Sequence, residues 1–466
     1  MIVMKFGGTS VEDAPSIERV AEIIRARLSL KPLVVVSAMG KTTRKLLQAA
    51  EASAAGDNRT TLGVVADLKT RHLSEVRRLV KSTDGREVFP LIEKHFDELK
   101  KLLEGLAILG EVPPRGLDKI LAYGELLSAA VLTDALSERG IAARLLDARE
   151  LIKTDDRYGS ASPLFEITNQ KLREAIPALI EGGLVPVIQG FIGSSRDGAT
   201  TTLGFEGSDY TATIIGAALD ADNIQIWKDV SGLMTADPQV FAGARTVKLC
   251  SFAEAADLTF FGAKVLHPKA IHPAARKNIP VHIYNSKQPA ATGTTITAAT
   301  PRCANLIKSI AYRRPVTIIN ATADSSADGS RFVSADDLLR AFVDTLAKRR
   351  IQPLITSVSA SNVVLALDSR ELRHGGRDLM EAVSGFGAAT AEPGRAIVSM
   401  VGDGVRNEPS FVGRVFKAID DTELGLILHG SSPITMSFVV AEQEVEKVIA
   451  RLHAVFFDQL DPQVFQ

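Results

Sequence analysis

Two short stretches carry residue types that could bind and activate a phosphoryl group. In Met4-Lys5-Phe6-Gly7-Gly8-Thr9-Ser10 a lysine interrupts an apolar run and is followed at once by two glycines and two hydroxyls. Glycines after a strand let backbone N–H groups approach an anion, and a helix that follows adds the positive end of its dipole. Lys5 would add a full charge at the strand end. In phosphoryl transfer the protein mainly positions groups and neutralises charge, so a lysine has a task there. The alternative is an ordinary strand–turn–helix whose lysine snorkels to water. The second stretch is GATTTLGFEGSDYTA, residues 198–212, in which Gly204, Gly207, Ser208 and Asp209 lead into an apolar helical pattern. Asp or Ser before a helix is often only a cap. Two such loops in one domain suggest that both ends of a phosphate chain, or two anionic substrates, lie between two helix N-termini.

Other candidates stand on less. Gly124 lies inside a helical pattern, where glycine costs about 1 kcal/mol against alanine, so something must approach it closely. Its neighbour Glu125 could hold an ammonium group or simply face water. Ser37 and Thr43 flank the glycine after a second strand and, by spacing, are N-cap candidates. The run from Trp227-Lys228-Asp229 to Met234 and Pro238 could frame a nucleotide or be a plain polar loop. His267, His272 and His282 scatter around prolines and a strand and read as structural. There is no Cys/His metal spacing, and neither GxSxG nor HExxH occurs.

The elements that must position these residues alternate. VVVSAMG (34–40), LVPVIQGFIG (184–193), NIQIWKDVSG (223–232) and IPVHIYNS (279–286) are apolar runs of the kind that strands buried on both faces show. Between them lie helical patterns over 14–28, 120–139 and 166–181. This predicts an α/β domain with a largely parallel sheet over 1–295, interrupted by a charged, strand-poor helical insertion at 57–116. After residue 300 a β-α-β-β pattern occurs twice, with 355–367 and 428–440 superposing at an offset of 73 residues. Two α+β modules are expected there, over 305–385 and 390–466, with 305–315 able to join the second.

With 466 residues, 45% hydrophobic and 23% charged, the chain has core material for several domains. A net charge of −1 gives no footprint for nucleic acid or an anionic membrane. The basic stretches Arg71 to Lys81 and Lys348 to Arg350 read as solvated faces. Cys250 and Cys303 make no disulfide framework, no apolar run reaches 18 residues, and no signal peptide is visible, so a cytoplasmic location is expected.

Taken together, MKFGGTSV, VVVSAMGKTT, YGE (123–125), QGFIG, TTTLGFEGSDYTA, the 229–238 loop and FGAKVLHP (261–268) resemble the aspartate kinase signatures, in order and spacing. The C-terminal repeat resembles that family's pair of ACT domains, each a ferredoxin-like α+β unit. The resemblance implies an amino acid kinase fold and transfer of the ATP γ-phosphoryl to the β-carboxylate of L-aspartate. That would be the first step of lysine, threonine and methionine biosynthesis. It places Lys5 against the transferring phosphoryl, cradled by Gly7, Gly8, Thr9 and Ser10, with Asp209 holding Lys5. Lys228, Asp229, Met234, Gln239, Lys264 and Val265 match nucleotide-contacting positions. Ser37, Thr43, Glu125 and the loop Phe205, Glu206, Gly207 and Ser208 match aspartate-contacting ones. Mg2+ would arrive with ATP, without a protein site of its own. A homodimer, and lysine or threonine as an effector at the ACT domains, are implied too.

Three departures bear on these expectations. The family pattern TLGRGGSD becomes TLGFEGSD, so Phe205 stands where an arginine would clamp a carboxylate; losing such a pair costs about 2–5 kcal/mol. Gln239 stands where an arginine often follows Asp-Pro. Lysine-inhibited relatives carry an aspartate near Leu354, and an apolar residue cannot pair with an effector ammonium. Two other readings follow. One is a kinase of the same fold acting on another substrate, such as glutamate, carbamate or a nucleoside monophosphate. The other is an amino-acid-binding regulatory protein with little catalysis.

Overall fold

The structure, a computed structural model, describes residues 1–81, 87–263, 266–323, 334–349, 351–372 and 376–466. The chain divides into two units. The first holds Met1–Leu233, Thr246–Ala256 and Val265–Thr300; the second holds Met234–Arg245, Asp257–Lys264 and Pro301–Gln466.

In the first unit the apolar runs form β1 (Ile2–Phe6), β2 (Pro32–Val36), β3 (Ala143–Leu146), β4 (Val185–Gln189), β7 (Asn223–Lys228), β8 (Leu249–Ser251), β9 (Val281–Asn285) and β10 (Thr294–Thr297). They make one sheet in the order β3-β4-β2-β1-β7-β9-β10-β8. Every neighbouring pair is parallel except β9 with β10. β5 (Ile192–Ser194) and β6 (Thr200–Thr202) form a separate antiparallel ribbon. β1, β2 and β4 are buried along their whole length, the burial that unbroken apolar runs foretell. Lys5, paired with Val35 on one side and Ile226 on the other, is the charged residue of these three strands. Because these strands are parallel, their C-terminal loops open on one edge, where α/β sheets bind ligands. Backbone bonds stitch the loops together: Gly7 N to Trp227 O, Ser37 N to Phe6 O and Gly190 N to Val36 O.

The helices are α1 (Ala14–Arg25), α2 (Thr42–Ala54), α3 (Asn58–Leu79), α4 (Val88–Leu109), α5 (Pro114–Glu138), α6 (Ala148–Leu151), α7 (Phe165–Ala175), α8 (Pro177–Glu181), α9 (Gly207–Ala218), α10 (Phe252–Phe260) and α11 (Pro268–Lys277). The helix expected over 166–181 is two helices, because Pro177 lacks an N–H and starts a new first turn. α3 and α4, in the expected insertion, pack with α2 and α5 within the first unit; Ser53 Oγ, for example, donates to the Leu103 carbonyl at 2.6 Å. α5 is, among the described residues, the one helix long and apolar enough to cross a membrane. It is buried against α2, α4 and strands β3 and β4, as a helix apolar all round is in a protein core.

In the second unit β11 (Ser309–Ala323), β12 (Ile355–Val358), β13 (Asn362–Asp368), β14 (Gly387–Val401), β15 (Leu426–Ser432) and β16 (Thr435–Ala441) form one sheet, ordered β12-β13-β11-β14-β16-β15. All its pairings are antiparallel. Helices α12 (Ala335–Arg349), α13 (Ser369–Leu372), α14 (Gly376–Ser384), α15 (Phe411–Ala418) and α16 (Val445–Phe456) accompany it. The hairpins β12–β13 and β15–β16 are the two halves of the repeat. β13 pairs with β11 and β16 with β14, and β11 and β14 pair with each other along both segments of β11, which joins the halves into one sheet. Pro315 lies at the register break between these segments, where a missing N–H is tolerated. Leu354 is 8% exposed and packs among Ile355, Ala366 and Val316.

Candidate active site

Lys5 ends in the sheet's central strand with its side chain 6% exposed. Its Nζ lies 2.5 Å from Asp209 Oδ1, and Asp209 Oδ2 lies 2.8 Å from Lys228 Nζ. Lys228 Nζ is also 3.5 Å from Glu206 Oε1. Three elements deliver this array. β1 and β7 are adjacent and place the two lysines, and the first turn of α9 lowers Asp209 between them. α9 comes that close because residue 190 is glycine: a Cβ there would sit 2.6 Å from Ser208 Cβ. Burial alone would raise the Asp209 carboxyl, but Lys228 and Lys5 outweigh it and hold it below the usual carboxylate range. Burial would lower the Lys228 ammonium; Asp209 and Glu206 together raise it instead. A buried charge left without its partner costs about 3–5 kcal/mol, so the three groups hold one another.

The array faces a cavity of about 820 Å³. Its lining joins Lys5, Gly7, Gly8 and Thr9 to Ser37, Thr43, Glu125, Phe205, Glu206, Gly207, Ser208, Asp209, Lys228 and Asp229. At Gly8 a Cβ would lie 2.8 Å from the Ala38 carbonyl, so only glycine lets the first loop press on the second. Gly124 has the same explanation. Its close neighbour is Ala38, whose Cβ would be 2.8 Å from an added Cβ, and not a ligand.

Glu125 is 3% exposed, which removes the solvated reading. Its Oε1 accepts from Ala38 N at 3.2 Å, while its Oε2 is buried without a hydrogen-bond partner among the described residues. Burial pushes its carboxyl up to about 8. A carboxyl with one open oxygen in a closed wall suits a cationic ligand group.

Ser37 and Thr43 are not helix caps. The cap of α2 is Lys41, at φ 64° and with no side-chain bond, and Ser37 N is used by Phe6 O. Ser10 is 2% exposed and lies behind the cavity, its Oγ 2.8 Å from Ser286 Oγ and 3.3 Å from Trp227 O. It anchors the loop to the ends of β7 and β9. Phe205 fills no buried clamp: it is 82% exposed at the cavity, its ring 6.1 Å from that of His267. Glu206 takes the left-handed turn at φ 54°. Met234 and Gln239 belong to the second unit, where Met234 O accepts from Ser309 Oγ and Gln239 N donates to Asp237 Oδ1. Lys264 and Val265 lie outside the described residues. No group of three His, Cys, Asp or Glu side chains suited to a metal ion occurs among the described residues.

Asp118 lines the same cavity and had no signal in the sequence. It is 1% exposed and accepts from Gly159 N at 3.0 Å and from Thr202 N and Oγ1 at 2.8 Å. Burial raises its carboxyl above the usual range despite these bonds. It fastens the threonine loop to α5.

Comparison with known proteins agrees with this architecture. The profile of the amino acid kinase family matches residues 1–285, and that of an ACT domain matches 398–456. Aspartokinase 2, chloroplastic, of Arabidopsis thaliana is 34% identical over 474 residues, covering 98% of this chain and 84% of that protein. The crystal structure of E. coli aspartokinase III in complex with aspartate and ADP (R-state) matches with a TM-score of 0.86 at 30% identity, over 98% of this chain and 100% of the other. The same enzyme in complex with lysine and aspartate (T-state) matches with 0.78 at 30% identity, over 98% and 99%. This chain belongs to the amino acid kinase family, among its aspartokinases.

Proposed function

We propose that this protein transfers the γ-phosphoryl group of MgATP to the β-carboxylate of L-aspartate, giving 4-phospho-L-aspartate. The observation that carries this reading is the buried Lys5–Asp209–Lys228 array on a cavity lined also by Glu125, whose Oε2 has no hydrogen-bond partner among the described residues. The attacking carboxylate is ionised near pH 7, so no general base is required. What the reaction needs is alignment and neutralisation of charge on the transferring group. Lys5 and the backbone N–H groups of Gly8 and Thr9 supply the positive field, while Gly7, whose N–H is held by the Trp227 carbonyl, fixes the start of the loop. Asp209 fixes both ammonium groups, so that neither reorganises as charge moves. Lys228 and Asp229 serve the nucleotide side, with Met234, Gln239, Lys264 and Val265 as further nucleotide positions. Glu125 takes the substrate ammonium, and Ser37, Thr43 and residues 205–208 surround its carboxylates. Mg2+ comes as part of the nucleotide substrate, held by phosphate oxygens and water, in keeping with its reluctance to shed its waters.

The finer assignments belong to the same reading. The domains are 1–295, 305–385 and 390–466. The reaction is the opening step of lysine, threonine and methionine biosynthesis, carried out in the cytoplasm by a homodimer. The ACT pair takes an amino-acid effector, lysine or threonine. A second substrate reading has one observation in its favour: the exposed Phe205 offers no cation to a carboxylate.

Purified protein with MgATP, L-aspartate and hydroxylamine should yield aspartyl hydroxamate. Replacing aspartate by glutamate or other small acids separates the readings. Product with another acid and none with aspartate overturns the first and supports the second.

A further inference from the structure

The stretch from Arg71 to Lys81 reads in the sequence as a solvated basic face, yet Arg71 turns inward. On α3, its Nη1 donates to the Gly40 carbonyl and its Nη2 to the Glu12 carbonyl, each at 2.7 Å. Glu12 follows the loop after β1, and Gly40 lies in the loop after β2. The loops touch at this point, for a Cβ at Gly40 would lie 2.9 Å from Glu12 Cβ. One turn along α3, Glu75 Oε2 accepts from Ala14 N, the first residue of α1, at 2.7 Å. The i, i+4 spacing puts both side chains on one face of α3.

We propose that Arg71 is a positioning residue for phosphoryl transfer: its guanidinium locks the two cavity loops in one register, so that the groups bound by each meet in line. This rests on the phosphotransfer reading above. A planar fork with two donors fixes the spacing of two acceptors, which a lysine, as a point donor, cannot do. Displacement of one reacting group by about 1 Å costs roughly a hundredfold in rate. Glu75 pins the start of α1, so α3 grips the first loop at two places. The helical insertion thereby takes part in setting the site.

Arg71→Met, Arg71→Lys and the control Lys69→Met, which sits on the same helix, are compared with the parent. The readouts are kcat, KM for each substrate, MgADP affinity by calorimetry and the thermal midpoint. Arg71→Met should lower kcat/KM for aspartate and for MgATP together, by about tenfold or more, and weaken MgADP binding, with the circular dichroism of the parent. Arg71→Lys should fall between, and Lys69→Met should match the parent. Both kcat/KM values staying within about threefold of the parent overturns the proposal, as does a loss confined to one substrate. So does a lowered midpoint with unchanged kinetics in the folded fraction. Should Arg71→Met fail to fold, Arg71→Lys decides, and parent-level kinetics overturns. If the parent makes no acyl phosphate, the phosphotransfer reading fails, and MgADP affinity alone tests the clamp: equal affinity in Arg71→Met overturns it.

Discussion

Asp209 bridges two ammonium groups at once, and both of its partners lie on sheet strands that cannot retreat. Asp209→Asn keeps the shape and removes the charge. It takes the carboxylate from Lys5 and leaves Lys228 to Glu206, 3.5 Å away, so turnover should fall by orders of magnitude and stability by about 3–5 kcal/mol, read by steady-state kinetics and urea unfolding. Glu125 adds a pH signature. Its carboxyl rises from an ordinary 4.5 to about 8 in the folded protein. The folded state therefore holds a proton that the unfolded state has lost over that interval, and stability falls as pH climbs through it. Glu125→Gln removes this slope, a flattening that unfolding free energies measured across the interval would show. The same carboxyl must ionise to meet a substrate ammonium, so aspartate KM should drop as pH rises toward 8 in the parent and lose that dependence in the variant. Lys5, the glycines, Asp209 and Glu125 were legible because their types are odd for their elements. Asp118 and Arg71 were not. Their partners lie 84 and 41, or 59 and 31, residues away, and no local spacing announces a long-range bond.

At the scale of elements, glycines set how closely the loops and helices meet. Gly124→Ala would gain helix propensity of about 1 kcal/mol, yet its Cβ would sit 2.8 Å from Ala38 Cβ. The clash dominates, because both are Cβ atoms whose positions the packed backbone fixes and which no side-chain rotation can move apart. The variant should melt earlier and, since Ala38 N holds Glu125, should raise the KM for aspartate; a stabilised variant with normal KM would refute this. The strands could be read from the sequence because parallel, doubly buried strands leave continuous apolar runs. Helix ends were less legible. Pro177 divides a pattern whose periodicity continues through it, and α2 begins at a left-handed Lys41 that no capping preference anticipates.

The whole molecule joins a largely parallel α/β sheet to a second unit built on a duplicated hairpin. The repeat at 73 residues was visible in the sequence, but its closure into one six-stranded sheet was not, because that depends on a 15-residue strand pairing on both edges. Leu354 belongs to the core of that unit. Leu354→Asp should therefore cost at least about 2 kcal/mol of stability through an unpaired buried carboxylate, without creating sensitivity to lysine. A stable, newly lysine-inhibited variant would show instead that position 354 reaches an effector site. Titrating lysine and threonine against the parent's activity tests regulation directly; inhibition by either supports the ACT assignment, and flat curves for both contradict it.

In the proposed reaction the Lys5–Asp209–Lys228 array neutralises a phosphoryl group on its way to an aspartate carboxylate. The rate of aspartyl hydroxamate formation from MgATP, L-aspartate and hydroxylamine, compared between the parent and a folded Lys5→Met variant, tests it most directly. Product is expected with the parent, and a fall of about a thousandfold or more in the variant. Absence of product with the parent, or parent-like rates without the lysine, would contradict it.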